Sequence, residues 1–196
     1  MPFKFTNQPL QEGLYEPEGI YLNLPYAGDG VVLQPFGGEE HHMESLTYNG
    51  MPLRGHNGID FGVSPSSTLL AVDKGRVAEI SYDPCGLGRY IKLSHDWGES
   101  LYALIGDATV DSGHHVERAE SLGRAGDEFA LDGKWALLHF GIRILPFNRF
   151  DGWGGYVNPI NYFSADDLRF PEIQELEALS FPLHQLKVEL DKVRRP

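Results

Sequence analysis

The chain has 196 residues, of which 41% are hydrophobic and 12% aromatic, so its composition predicts a folded domain with a buried core rather than a disordered chain. Sixteen basic and 28 acidic side chains leave a formal net charge of −12. This charge argues against nucleic acid and anionic membranes as partners, because both are bound through basic residues. A single cysteine, Cys85, excludes an intramolecular disulfide framework and a zinc site made of several thiolates.

Residues 1–36 are rich in proline, glycine and aromatic residues, and they contain the short apolar runs GIYLNLPY and GVVLQPF. We predict an extended N-terminal arm with one or two strands. The first residues, MPFKFTNQPLQEG, contain no apolar stretch of signal-peptide length, and no segment approaches the roughly 18 apolar residues of a membrane span. We therefore expect a soluble protein that is not exported by the ordinary route, either cytoplasmic or virion-associated.

Residues 37–163 contain short β-type runs separated by glycines and turn residues. This spacing predicts a mainly β domain, an antiparallel sandwich or barrel, rather than alternating strands and helices. The runs are, in chain order, GIDFGV, TLLAVDKGRVAEISY, RYIKLSH, SLYALIG and WALLHFGIRIL.

Residues 164–196 change to a helical pattern, in two segments that each begin near a proline, SADDLRFPEIQELEALSF and PLHQLKVELDKVRR. We predict a helical C-terminal extension. Apolar side chains in the second segment step by three, four and three residues and form one stripe, made of Leu183, Leu186, Leu190 and Val193. Two interpretations stay open, because such a stripe can pack on the sheet of its own chain or dock onto a second subunit. The number of subunits is not predicted.

The stretch RGHNGIDFGV places His56 and Asp60 four residues apart, with Gly58 between them, at the start of an apolar run. Alone, this pattern is as compatible with a turn as with a metal site. Farther along the chain, His139 lies inside the alternating run WALLHFGIRIL, where a polar side chain needs a partner. A zinc ion bound by His56, Asp60 and His139 would provide that partner and leave a fourth position for water.

Several motifs, taken in order, resemble those of the lysostaphin/LytM-type zinc endopeptidases of the M23 class. They are LQPFGGEE, GHNGIDFGV, LLAVDKGRVAEI, RYIKLSHDWGESLYAL, LGRAG, LLHFGI and YVNPINYF, and they span roughly residues 34–163. The resemblance implies a small LytM-like (duplicated-hybrid) antiparallel β-sandwich whose groove holds zinc, with His56, Asp60 and His139 as the metal ligands. Members of this class usually cut peptide cross-links or stems of bacterial cell walls, so the implied partner is a peptidoglycan peptide.

The resemblance also implies two catalytic histidines, and this chain departs from the class at both. Leu104 stands where the class has the histidine of a Tyr-x-His motif, after Tyr102, and Leu137 stands where it has the first histidine of a His-x-His motif, before His139. General acid–base catalysis contributes about 10²–10⁴-fold, and one oxyanion donor contributes about 10²–10³-fold. We therefore predict at best a slow residual hydrolase, with no confidently assigned catalytic residue.

Other side chains are weak candidates for the missing catalytic groups. Tyr102 could donate a hydrogen bond to an oxyanion, and His41 or His42, in the loop before the metal motif, could act as a replacement base. The remaining histidines are interpreted as structural, solvated or incidental, namely His95, His114, His115 and His184. Cys85 is interpreted in the same way.

Turn residues of the central domain have structural interpretations. Asn158 and Pro159 match the closing turn of the class, where proline sets φ and asparagine bonds the turn. Gly55, Gly58 and Gly62 allow the backbone geometry around the metal motif.

Three functional hypotheses follow, in order of preference. The first is a non-hydrolytic binding or assembly protein that keeps its zinc ligands and holds a peptidoglycan peptide or another protein, with the arm and the C-terminal helix as attachment points. The second is an active zinc metalloendopeptidase that cuts peptidoglycan peptides with a relocated base. The third is a scaffold without metal, in which His56 and Asp60 bond to each other.

Overall fold

The structure, a computed structural model, describes residues 19–38, 47–48, 51–84, 86–127 and 135–171. Several predictions concern residues outside these ranges: the replacement-base candidates His41 and His42, the thiol of Cys85, and the helical stripe that follows residue 171, together with His184. These predictions therefore stay predictions.

The described residues form a mainly antiparallel β fold, as the sequence predicts, with two short 3-10 helices at Pro159–Tyr162 and Ala165–Asp167. No helix in these ranges has the length and apolar character needed to cross a membrane. The strands are β1 Gly30–Gln34, β2 Thr47–Tyr48, β3 Met51–Pro52, β4 Ile59–Val63, β5 Thr68–Leu70, β6 Gly75–Asp83, β7 Gly88–His95, β8 Gly98–Ala103, β9 Ile105–Ala108, β10 His115–Val116, β11 Ser121–Ala125 and β12 Ala136–Ile144.

The strands form a large main sheet and a smaller sheet packed on one of its faces. The main sheet has seven strands in the order β1-β4-β12-β8-β7-β6-β10, and the smaller one has three in the order β5-β11-β9. Strands β2 and β3 form a separate two-stranded antiparallel sheet. The largest hydrophobic cluster contains Phe61 and Phe140 from the main sheet and Leu69 and Leu122 from the smaller one, so the core lies between the two sheets. Full burial of a side chain of this size contributes about 1.5–3 kcal/mol.

Two of the β-type runs in the sequence are each divided between the two sheets. The run SLYALIG breaks at Leu104, whose φ of 63° is in the left-handed region, and the chain passes there from β8 in the main sheet to β9 in the smaller one. The run TLLAVDKGRVAEISY similarly divides into β5 and β6. A sandwich requires such crossings, and an apolar pattern by itself does not reveal them.

Side-chain alternation along β12 separates the two faces of the main sheet. Leu138, Phe140 and Ile142 belong to the core between the sheets. The alternate positions Leu137, His139, Gly141 and Arg143 lie on the opposite face, which we call the site face. These alternate residues are buried as well, because the site face is covered by other segments of the chain.

Part of the predicted N-terminal arm is a strand of the main sheet. β1 pairs with β4 at the sheet edge, and all five of its residues are buried. On its other side, the Val32 N–H donates to the Arg169 carbonyl at 2.8 Å, so the chain after the closing turn covers the sheet edge. The domain boundaries at residues 36 and 163 stay predictions.

Candidate metal centre

The three predicted metal ligands lie together on the site face. Strand register sets Gln34, Asp60, His139 and Ala103 in one row across β1, β4, β12 and β8. His56 precedes β4 by one short turn and brings its ring beside that row. The sequence distance between the two histidines is therefore bridged by the pairing of β4 with β12.

Three ligand-type atoms form a nearly equilateral triangle. His56 Nε2 lies 3.1 Å from His139 Nδ1 and 3.0 Å from Asp60 Oδ1, and His139 Nδ1 lies 2.9 Å from Asp60 Oδ1. A tetrahedral zinc site with bonds of about 2.0–2.1 Å separates its ligand atoms by roughly 3.3 Å. Two imidazole nitrogens and a carboxylate oxygen at these separations are a donor set that fits zinc.

Backbone contacts orient the His56 ring toward the triangle. The other ring nitrogen, Nδ1, lies 3.1 Å from the Pro35 carbonyl, which can only accept a hydrogen bond. The proton is therefore assigned to Nδ1, and Nε2 of the neutral ring presents a lone pair to the triangle. The His56 backbone makes two further hydrogen bonds: its N–H donates to the Gly38 carbonyl, and its carbonyl accepts from the Gly37 N–H.

The electrostatics of the triangle favour a cation. With the His56 proton on Nδ1, two acceptors, Nε2 and Asp60 Oδ1, face each other at 3.0 Å, and a metal cation or a second ring proton relieves their repulsion. Burial by itself would raise the pKa of the Asp60 carboxyl. In the state in which the two rings are protonated, their charges and their hydrogen bonds outweigh that effect and hold the pKa of the Asp60 carboxyl well below its usual range, so Asp60 is a carboxylate.

Gly58 provides the space for the His139 ring. A Cβ at position 58 would lie 2.6 Å from His139 Cε1 and 2.6 Å from the Phe140 carbonyl oxygen. No side chain larger than hydrogen fits there without displacing the ring or the β12 backbone. The glycine between His56 and Asp60 is therefore part of the geometry of the centre.

Leu104 and Leu137 lie in one apolar cluster on the site face. The cluster, which we call the leucine cluster, consists of Val31, Leu33, Leu104, Trp135 and Leu137, and all five are buried. Leu137 is two residues from His139 on the same face of β12, so the cluster borders the metal centre. The two positions at which the resemblance implies histidines thus belong to one buried apolar cluster, and their side chains carry no titratable group.

Tyr102 and His95 lie on the opposite face of the main sheet. The Tyr102 side chain is completely buried in the core, its hydroxyl oxygen accepts from the Val72 N–H at 2.8 Å, and burial raises its pKa. The phenol therefore does not face the metal centre, and its position gives no support to a role as oxyanion donor. His95 bonds the Lys74 carbonyl and Ser100 Oγ, each at 2.8 Å, and stacks on Trp97.

The remaining described candidates have the positions expected of them. His114 and His115 are exposed, and His114 Nε2 lies 3.2 Å from a carboxylate oxygen of Glu120. Asn158 Oδ1 accepts from the Ile160 N–H at 3.1 Å and caps the 3-10 helix that begins at Pro159. This cap is the closing turn that the sequence predicts.

Sequence reasoning missed two buried polar residues on the site face, Gln34 and Arg143. Arg143 is 2% exposed and lies four residues beyond His139 on β12. The signal was present, because the argument that singled out His139, a polar side chain inside an apolar strand, applies equally to the arginine in the same run.

Comparison with known proteins gives the chain its family. A family model described as Peptidase family M23 matches residues 54–159, more than half of the chain. An uncharacterized metalloprotease of Haemophilus influenzae is 30% identical over 108 residues, which are 55% of this chain and 22% of that protein. This chain therefore spans less than a quarter of the length of that curated relative.

Solved structures share the fold. Helicobacter pylori Csd3 aligns with a TM-score of 0.54 and 18% identity, covering 89% of this chain and 43% of that chain. The catalytic domain of the prophage-encoded M23 protein EnpA from Enterococcus faecalis, crystallised as a point mutant, aligns with a TM-score of 0.52 and 18% identity, covering 74% and 98%. A chain of the SpoIIIAH–SpoIIQ complex aligns with a TM-score of 0.52 and 22% identity, covering 72% and 99%.

The matched segment begins just before His56 and ends at the closing turn, so it contains all three side chains of the metal centre. By that match over more than half of its length, the chain belongs to Peptidase family M23.

Proposed function

We propose that this M23 domain binds zinc through His56, Asp60 and His139 and binds a peptidoglycan peptide or a partner protein without hydrolysing it. The observation that carries the proposal is the leucine cluster, a buried apolar group that contains both Leu104 and Leu137 and borders the metal centre. The family consists of zinc metallopeptidases, and the three side chains can hold a metal ion. Zinc is therefore the metal that we propose for the site.

Zinc bound there would supply a Lewis acid and a water of lowered pKa. Peptide hydrolysis also needs a group that accepts a proton from the attacking water and a donor to the developing oxyanion. Leu104 and Leu137 can do neither, because their side chains contain only carbon and hydrogen. The loss of both contributions reduces hydrolysis by a factor on the order of 10⁴ or more if the two are independent.

The described histidines outside the triangle and Tyr102 do not compensate for this loss, because none of them faces the metal centre. His95 and Tyr102 lie on the core side of the main sheet, and His114 and His115 are exposed on other strands. We therefore favour binding over catalysis.

The proposed ligand is either a wall peptide or a second protein. The family membership supports a peptide, because peptidases of this class act on wall peptides. A chain of the same fold occurs in the complex of SpoIIIAH with SpoIIQ, so the fold is compatible with a protein partner. The predicted arm and C-terminal helix are the proposed attachment points for such a partner.

A second candidate function is an active zinc endopeptidase with a relocated base. The complete set of three ligand-type side chains favours it, because a purely structural domain has little need of a site with three protein ligands. The proposed base is His41 or His42.

The deciding experiment measures zinc per chain and hydrolysis together. Wild type, His139→Ala and the double variant His41→Ala/His42→Ala are tested on purified peptidoglycan and on a pentaglycine peptide, and sedimentation with peptidoglycan measures binding. We expect about one zinc in wild type, no cleavage, and no zinc in His139→Ala. If wild type cleaves the peptide and both variants have lost this activity, His41 or His42 is established as the relocated base. If wild type binds no zinc, the metal-free scaffold is the functional hypothesis that remains.

A further inference from the structure

We propose that Arg143 is a positioning residue for the metal centre. It holds the loop of residues 145–157 against the site face, so that Trp153 and Tyr156 fix the geometry around His56 and His139. The inference rests on the proposed metal site and adds a determinant of its geometry outside the three ligands.

Arg143 is the largest side chain that is almost fully buried in the described structure, with 2% exposure. Its Nε donates to the Gly154 carbonyl at 3.0 Å, and its Nη1 donates to a carboxylate oxygen of Glu99, the residue opposite on β8, also at 3.0 Å. The guanidinium carbon lies 4.1 Å from the centre of the Tyr156 ring and 5.4 Å from that of Phe147. The hydrogen bond and the two cation–π contacts therefore connect one β12 side chain to both ends of the loop, while the ion pair holds the same guanidinium to β8.

Contacts within the loop also fix its conformation. Asp151 Oδ1 accepts from the N–H groups of Trp153 and Gly155, at 2.6 and 3.1 Å. Gly152 and Gly155 have φ of 86° and 81°, a region that glycine enters without steric cost. These local contacts shape the loop, and Arg143 attaches it to the sheet.

One contact of the loop reaches the strand that carries His139. The Tyr156 ring packs on Gly141, where a Cβ would lie 2.9 Å from two ring carbons. Gly141 is halfway between Arg143 and His139 on the site face of β12. The same Cβ would lie 3.5 Å from the Asn57 carbonyl oxygen, so Gly141, on which the ring packs, also borders the segment that follows His56.

A second set of contacts reaches His56. The Arg54 N–H donates to the Gly152 carbonyl at 2.9 Å, and a Cβ on Gly55 would lie 3.2 Å from the Trp153 ring. The Trp153 ring also packs against Phe36, with ring centres 4.7 Å apart. Phe36 belongs to the turn whose Pro35 carbonyl orients the His56 ring, so the loop supports this turn as well.

A positioning role is distinguishable from a contribution to overall stability alone. If Arg143 acts on the centre through the loop, its loss changes the metal site in a protein that is still folded. If it only stabilises the fold, its loss lowers the free energy of unfolding and leaves the site of the folded molecules unchanged.

The experiment compares Arg143→Met, which removes the charge, with Arg143→Lys, which keeps the charge without the planar fork. Arg124→Met is the matched control, because Arg124 is an exposed arginine that is ion-paired with Asp107 away from the loop. Zinc affinity is measured by chelator competition, and the visible spectrum of bound Co²⁺ reports ligand geometry. Hydrogen exchange of the Gly37 and His56 amides is measured on metal-free protein.

We expect Arg143→Met to weaken zinc binding by about 10-fold or more, the range found for groups that orient metal ligands. We also expect an altered Co²⁺ spectrum and faster exchange at Gly37 and His56, with partial recovery in Arg143→Lys and no change in Arg124→Met. A folded Arg143→Met protein with wild-type affinity, spectrum and exchange would overturn the inference.

Two further outcomes remain decisive. If Arg143→Met does not fold, Trp153→Ala replaces it, because that change removes the loop's contact with Gly55 and leaves Arg143 in place; unchanged zinc affinity and exchange there would also overturn the inference. If wild type binds no zinc, the proposed function fails, while the exchange measurement on metal-free protein still decides whether Arg143 fixes the backbone at His56.

Discussion

His56 Nε2 and His139 Nδ1 lie 3.1 Å apart although 83 residues separate them in the sequence. The pairing of β4 with β12 brings them together, and Asp60 Oδ1 lies within 3.0 Å of both nitrogens. Three polar atoms this close inside a largely buried site repel each other unless protons or a cation lie between them. The relationship between the two rings is therefore the structural basis of the proposed metal centre.

Metal binding should make the stability of the domain depend on zinc, and Asp60→Asn should remove that dependence. Free zinc at 100 times its dissociation constant stabilises a folded protein by about 2.7 kcal/mol. We expect this increment in wild type and little of it in Asp60→Asn, because the carboxylate is the one anionic group of the triangle. Denaturant unfolding with zinc and with a chelator measures the increment.

Asp96→Asn is the control for that experiment, since Asp96 is an exposed carboxylate outside the triangle. It should keep the full zinc increment. An undiminished increment in Asp60→Asn would show that Asp60 is not a ligand.

Replacement of both leucines by histidine should restore hydrolysis. In Leu104→His/Leu137→His, position 137 lies on the same face as His139, and position 104 has a φ of 63°, a conformation that histidine adopts more readily than most residues. We expect cleavage of a pentaglycine peptide at least about 10²-fold faster than wild type. The polar rings should cost about 1–3 kcal/mol of the free energy of unfolding.

Leu104→Asn/Leu137→Asn provides the comparison, because it adds polarity without a base of suitable pKa. It should stay inactive. A folded, zinc-loaded double-histidine variant without activity would show that histidines at these two positions are not sufficient for hydrolysis.

Gly58→Ala should distort the metal centre. The added Cβ would lie 2.6 Å from both His139 Cε1 and the Phe140 carbonyl oxygen, so the ring or the strand must move. We expect weaker zinc binding, by about 10-fold or more, measured by chelator competition.

Gly62→Ala, in the β4 strand that follows Gly58, is the matched substitution, because its Cβ would meet the flexible side chain of Leu33 at 3.0 Å rather than a ligand. It should change the free energy of unfolding more than the zinc affinity. Equal zinc affinities in wild type and Gly58→Ala would contradict the steric role of Gly58.

His95 should make the fold less stable in mildly acidic solution. Burial lowers the pKa of His95, and the Lys74 carbonyl and nearby carboxylates only partly oppose this effect. The unfolded chain, with a histidine pKa of about 6.5, then binds more protons than the folded one. The contribution of His95 is therefore complete above about pH 6.5 and is lost as the pH falls through the lower folded value.

His95→Gln isolates this contribution, because other histidines also titrate in the same range. The variant is expected to be less stable than wild type at pH 8, since it loses the stacking on Trp97 and at least one hydrogen bond. The difference in free energy of unfolding between the two proteins should narrow from pH 8 to pH 5. A constant difference would mean that His95 does not titrate with folding.

The sequence by itself determined the β-rich antiparallel fold and the family. Both depend on local patterns, namely apolar alternation, turn residues and an ordered set of short motifs, which need no knowledge of long-range contacts. The proximity of His56, Asp60 and His139 was also foreseeable, as an implication of the family resemblance, and the structure brings the three side chains together.

Only the tertiary structure decided which side chains face the metal centre. Neighbouring residues of a strand point to opposite faces, so the register and the end of β8 determine that Tyr102 lies in the core while Leu104 joins the leucine cluster. The contacts of Arg143 depend on a loop whose path is set by glycines in left-handed conformations. Composition and periodicity do not reveal where such a loop packs, because its place on the sheet also depends on contacts with distant strands.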